Sequence, residues 1–132
     1  MSQFSLVELL IFDLIMLTDV VREMGYQANM NRRLMVNSHG EQQEVEMTFC
    51  DEHGREWGVA GNSEEGYDLV AEAETDLTGN IEQQKQLSEM RNRLKQNYAA
   101  IKVEHEAESE GYKIVEKTVM PDRTIRLKLR RW

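Results

Sequence analysis

Apolar residues recur with two different periods along this chain, and the points where the period changes divide it into elements. Residues Ser2 to Phe12 carry Phe4, Leu6, Val7, Leu9, Leu10 and Ile11, a run compatible with either period. The reading preferred here is a strand that ends near Phe12. Asp13 then caps a helix whose core face is Leu14, Leu17, Val20 or Val21, and Met24. Gly25-Tyr26 stops that helix, because glycine reaches the left-handed conformation just past a helix end without a Cβ penalty. A strand over Gln27 to Val36 follows, then a turn at Asn37-Ser38-His39-Gly40. From Glu44 to Cys50 the pattern alternates, with Val45, Met47 and Phe49 on one side and Glu44, Glu46 and Thr48 on the other. Asp51 to Gly54 is a four-residue hairpin connection, and Trp57 and Val59 open the returning strand. Gly61 to Gly66 reads as a loop and Tyr67 to Glu72 as a further strand.

The period then lengthens. Leu87, Met90, Leu94, Tyr98 and Ile101 recur at three- and four-residue steps, the spacing of one helix face. Asn80 is the expected N-cap, with Gln83 three residues on as its capping-box partner. Gly111-Tyr112 ends this helix as Gly25-Tyr26 ends the first. A closing hairpin follows: Lys113 to Met120, the turn Pro121 to Thr124, and Ile125 to Trp132. In its last strand Ile125, Leu127 and Leu129 face one way and Arg126, Lys128 and Arg130 the other, so one face is buried and one wet. Trp132 is expected to pack its ring and tie the end down. The order β-α-β-β-β-β-α-β-β predicts an α+β fold: an antiparallel sheet with two helices packed on one face. The repeated helix, Gly-Tyr exit and strand suggest a two-half pseudo-repeat.

The 132 residues fit one domain over 1–132 with a single core. The formal net charge of −8 argues against a general nucleic-acid binder, which presents a basic face. The charge is uneven, however. Glu104, Glu106, Glu108 and Glu110 form an acidic run, and the last strand is basic. The plain reading is two solvated faces that pair with each other; the sharper one is a basic strip meeting an acidic partner. The apolar run Leu9 to Leu17 is too short to span a bilayer, lacks a preceding basic segment, and reads as a buried strand-to-helix passage. No membrane association is expected, and the single cysteine, Cys50, suits a reducing compartment such as the cytoplasm.

Candidate chemistry is sparse. Cys50 and His53 stand at Cys-x-x-His spacing, but a metal site needs about four ligands, and His39 and His105 lie on other elements. Cys50 as a nucleophile would need a histidine base and a third, orienting group, which nothing in the sequence supplies. His105 falls on or beside the apolar helix stripe, where a histidine is usually a boundary residue. The glycines at 58, 61 and 66 do not form a phosphate loop. No catalytic residue, metal ligand or cofactor site is assigned.

Several stretches together resemble a known family. They are the opening Met1 to Ser5, the Gly25-Tyr26 exit, the strand Gly66 to Ala71, Tyr98, Glu106-Ala107 with Gly111-Tyr112, and the closing Asp122, Thr124 to Leu127 and Arg131-Trp132. The chain is similar to the hypothetical chloroplast reading frame thirty-five family of cyanobacteria, algal plastids and other bacteria. That resemblance covers nearly the whole chain and implies a small soluble protein with no assigned reaction. It also implies an accessory or adaptor role beside an ATPase of the AAA+ class, from the neighbourhood of bacterial relatives. The expectation is therefore a non-enzymatic protein that binds another protein, or itself as a homodimer. Arg126, Lys128, Arg130, Arg131 and Trp132 are its candidate contact residues. The alternative is a small enzyme or ligand-binding domain with a site near Cys50, His53 and His105, its ligand unknown. A third reading, nucleic-acid binding through Arg123 to Arg131, predicts affinity that falls steeply with salt.

Overall fold

Asp13 does what its position predicts. Its carboxylate accepts the Met16 N–H at 3.0 Å and caps α1 (Leu14–Glu23). At the other end Tyr26 N–H bonds the Val21 carbonyl and Gly25 N–H the Arg22 carbonyl, with Gly25 at φ +85. These two bonds satisfy carbonyls of the last helical turn. The computed structural model describes residues 4–31, 33–37, 40–73, 77–122 and 124–131, with backbone alone at 77, 78 and 80. Trp132, His39 and Arg123 lie outside them.

α1 buries Leu17, Val20 and Val21 against a five-stranded antiparallel sheet. Its strands are β1 (Phe4–Ile11), β2 (Gln27–Asn29), β5 (Met47–Cys50), β6 (Glu56–Asn62) and β7 (Gly66–Glu72), in the order β1-β7-β6-β5-β2. Met47, Phe49, Trp57, Val59 and Leu69 line the face that meets the helices. The architecture is α+β with the expected element order, although two expected strands are each broken in two.

Those breaks build a flap. β3 (Leu34–Val36) and β4 (Gln42–Glu44) form a separate two-stranded hairpin over the sheet's other face. There Met35 and Val45 pack with Phe4 and Val70 in a second small core. Gly58 leaves them room, since a Cβ on it would lie 2.4 Å from the Met35 sulfur and 2.9 Å from Val45. The chain crosses from flap to sheet at two residues. Val45 N–H bonds the Arg33 carbonyl, whereas Glu46 N–H bonds the Val59 carbonyl. Val45 and Met47 therefore serve opposite faces, which corrects the single alternating strand expected over Glu44 to Cys50. The strand expected over Gln27 to Val36 is likewise split between sheet and flap.

α2 spans Leu77–Ser109, about 50 Å at 1.5 Å per residue. It begins three residues before Asn80, so Asn80 is not its N-cap. Gln83, expected in a capping box, is buried and ties the helix to the sheet instead. Its side-chain amide donates to the Glu72 carbonyl, and its carbonyl oxygen faces the Ser5 hydroxyl at 3.4 Å. The predicted stripe is borne out. Leu87, Met90, Leu94 and Ile101 are buried and Tyr98 packs beside them.

Gly111 ends α2 at φ +89, its N–H bonded to the Glu108 carbonyl. A valine there would meet the left-handed penalty with a β-branched side chain. Gly111→Val is expected to lower stability by about 1–2 kcal/mol in a denaturant titration.

The resemblance between the two halves stops at this exit. β2 joins the main sheet, but among the described residues β8 (Tyr112–Val119) and β9 (Ile125–Arg131) pair only with each other, as a ribbon. Ile114, Ile125 and Leu127 turn half-buried side chains toward α2. Lys117 reaches Glu23 of α1 at 2.8 Å and Glu104 of α2 at 3.1 Å, clamping the ribbon to both helices. Among the described residues, no helix is long and apolar enough to cross a membrane.

Candidate functional site

The turn between β5 and β6 is a tightly organised polar group. Asp51 Oδ1 accepts the N–H groups of His53 at 2.9 Å and Arg55 at 3.0 Å, and Oδ2 accepts Trp57 Nε1–H at 3.0 Å. Burial raises the Asp51 pKa, but these bonds outweigh it and hold the carboxyl below its ordinary value. The indole is buried, its ring stacked on Phe49 and covered by the Arg55 guanidinium at 4.9 Å. Beside the turn, Arg93 of α2 lies over the Tyr26 ring and 3.4 Å from Glu52. Among the described residues the buried Tyr26 hydroxyl has no partner at full hydrogen-bond geometry, although the Glu52 carboxylate lies close enough to act on it. Burial first, and the nearby Glu52 carboxylate second, push its pKa up to about 12. A shallow cleft of about 260 Å³ opens here, lined by Glu52, His53, Glu82, Glu89 and Arg93 among others.

Cys50, His53 and His105 do not converge on this cleft. Cys50 ends β5 half-buried and pairs across to Gln27, and His53 stands exposed in the turn. His105 is also exposed, off the apolar stripe it was expected to border. It lies twelve residues beyond Arg93, the helix residue that meets the turn, a separation of about 18 Å along α2. Among the described residues no group of three histidine, cysteine or acidic side chains is placed to hold a metal.

The predicted basic strip is presented as a surface. Lys113, Arg126, Lys128 and Arg130 occupy the ribbon face turned away from α2, with Glu116 among them. Among the described residues, Arg126, Lys128 and Arg130 enter no ion pair, and Arg131 lies over the Tyr112 ring at 5.8 Å. The acidic run at the end of α2 does not neutralise them. Glu104 pairs with Lys117 of β8, while Glu106, Glu108 and Glu110 face solvent. From Tyr112 onward the chain holds seven of its 16 basic residues and two of its 24 acidic ones, so the ribbon is a cationic projection on an acidic body. On its inner side, Val103 of α2 with Ile125 and Leu127 of β9 line an apolar groove of about 360 Å³.

These features belong to an α+β protein with a cationic ribbon and no assembled catalytic constellation among the described residues. Residues 20–128 match the model of a family described as a protein of unknown function (DUF1257), and the chain belongs to that family. The match leaves out residues 1–19 and 129–132. No curated protein and no solved structure matches the chain.

Proposed function

We propose that this is a non-enzymatic interaction protein that meets an acidic surface of a partner protein through its β8–β9 ribbon. The observation that carries the reading is the segregation of charge: Arg126, Lys128 and Arg130, without an ion pair among the described residues, stand on one element of a chain whose net charge is −8. Electrostatic complementarity of this kind speeds and orients encounter. An accessory role beside an ATPase of the AAA+ class is the finer form of this reading, and its support is the family resemblance alone.

The test compares the tagged chain with a variant carrying Arg126→Gln, Lys128→Gln and Arg130→Gln, in affinity capture from native lysate at low and moderate salt. These exposed changes should leave stability within about 0.5 kcal/mol. A specific protein held by the wild type at moderate salt and lost by the variant is the expected result. Identical recoveries from both would sink the reading.

A further inference from the structure

β1 is an edge strand. Among the described residues it pairs with β7 on one side, and no strand lies on the other. Every second N–H and C=O along it therefore points away from the sheet, the arrangement that accepts an added strand. Native sheets usually blunt such an edge with charge or a bulge. Here a register shift between Glu8 and Ile11 bends the far end, where Leu10 stands at φ +57, outside the usual range of a branched side chain. The part before the bulge stays regular and leaves Leu6 47 % exposed, and Leu10 within the bulge is 61 % exposed.

The two sides of this edge carry opposite charge. On the helix side, Arg91 and Lys95 stand one turn apart on α2, and with Leu6, Val7, Glu8 and Leu10 of β1 they line a groove of about 480 Å³ along its edge. Neither forms an ion pair among the described residues, and Arg91 is bonded only to its neighbour Asn92. On the opposite side, Glu8 of β1 sits directly across from Asp68 of β7. Two like charges at that spacing repel. Burial, then the Glu8 charge, raises the Asp68 pKa.

We infer that β1 receives an extended segment of a partner protein as a sixth strand, one whose side chains alternate acidic and basic. Successive residues of a strand point to opposite faces. An incoming segment thus sets carboxylates against Arg91 and Lys95 with one set of positions and cations against Glu8 and Asp68 with the other. Main-chain bonds to the free edge supply affinity, and the two charged rows fix register and orientation. This inference rests on the reading of the chain as an interaction protein, but it uses a surface separate from the ribbon.

The probe is a displayed library of randomised eight-residue segments, the length of β1, selected on the wild-type chain. Enrichment of sequences that alternate acidic and basic residues is the expected result. The best peptide should lose about tenfold or more in affinity for an Arg91→Glu, Lys95→Glu variant whose melting is unchanged. It should lose as much when N-methylated at the alternate amides that face the edge, and little when methylated at the others. Selection without charge alternation, indifference to N-methylation, or no enrichment would each overturn the proposal. So would a wild-type dimer in sedimentation that the double variant abolishes, because a second copy would then occupy the edge. If the library fails while the ribbon still captures its partner, only this inference falls; if both fail, so does the interaction reading.

Discussion

Trp57→Ala is expected to cost about 4 kcal/mol, the upper range for removing a buried aromatic residue, because the indole joins two kinds of stabilisation at one point. Its ring is 1 % exposed, with Phe49 stacked at 6.5 Å and Tyr26 stacked in turn on Phe49 at 5.9 Å. Its N–H occupies Oδ2 of the carboxylate that organises the β5–β6 turn. Trp57→Phe separates the two, keeping most of the apolar volume and losing the donor. It should cost about 1–3 kcal/mol, the usual range for a hydrogen bond to a charged group. The pH dependence carries the sign of the effect. The folded pKa of Asp51 lies below its ordinary 3.8, so the unfolded chain takes up this proton first as pH falls. The Asp51 contribution is complete above that ordinary value and is lost as pH drops through the depressed folded one. In Trp57→Phe the folded pKa moves back up, and this acid-dependent loss shrinks. Urea unfolding followed by far-ultraviolet circular dichroism, at neutral pH and between about pH 2 and 4, measures both. If Trp57→Phe matches the wild type at every pH, the bond contributes nothing to the turn.

Gly61→Ala is the second large effect expected. At φ +129 the residue lies where side chains rarely go, and an added Cβ would sit 2.3 Å from the Gly66 carbonyl oxygen across the β6–β7 pair. That neighbour is backbone and cannot rotate aside, so strain and collision add to roughly 2–5 kcal/mol. Gly25→Ala is the control. At φ +85 with nothing within 4 Å of its Cβ, it meets the left-handed penalty alone, about 1 kcal/mol. Equal melting of the two variants would mean that the β6–β7 end relaxes around the methyl group and that its register is not fixed by the glycine.

Local signals were legible where one residue decides the outcome. Asp13 announces α1 because a carboxylate in that place has one obvious use. The stripe from Leu87 to Ile101 announces α2 because only a helix brings those positions to one face. Val45 and Met47 misled because period-2 alternation says nothing about a crossing between two layers, and that crossing shows only in where the N–H groups of Val45 and Glu46 go. Asn80 and Gln83 matched a capping box, yet Gln83 is consumed by the strand ends beneath it, a contact between residues 11 positions apart. The ribbon's cations were legible as an alternating row. The approach of Arg91 and Lys95 to the β1 edge was not, because it joins segments more than 80 residues apart.

The ribbon's attachment has a consequence for how the molecule comes apart. Among the described residues its strands pair with each other, and it meets the rest through a thin apolar strip and the bonds of Lys117 to Glu23 and Glu104. Such a unit can detach as one cooperative segment well below the free energy of global unfolding, while the sheet and the buried length of α2 stay intact. Its amides should then exchange with solvent as a group, faster than those of β6 and β7, and faster still as salt screens the clamp. An acidic partner that replaced Glu23 and Glu104 at Lys117 would favour the detached ribbon by its greater affinity for that form.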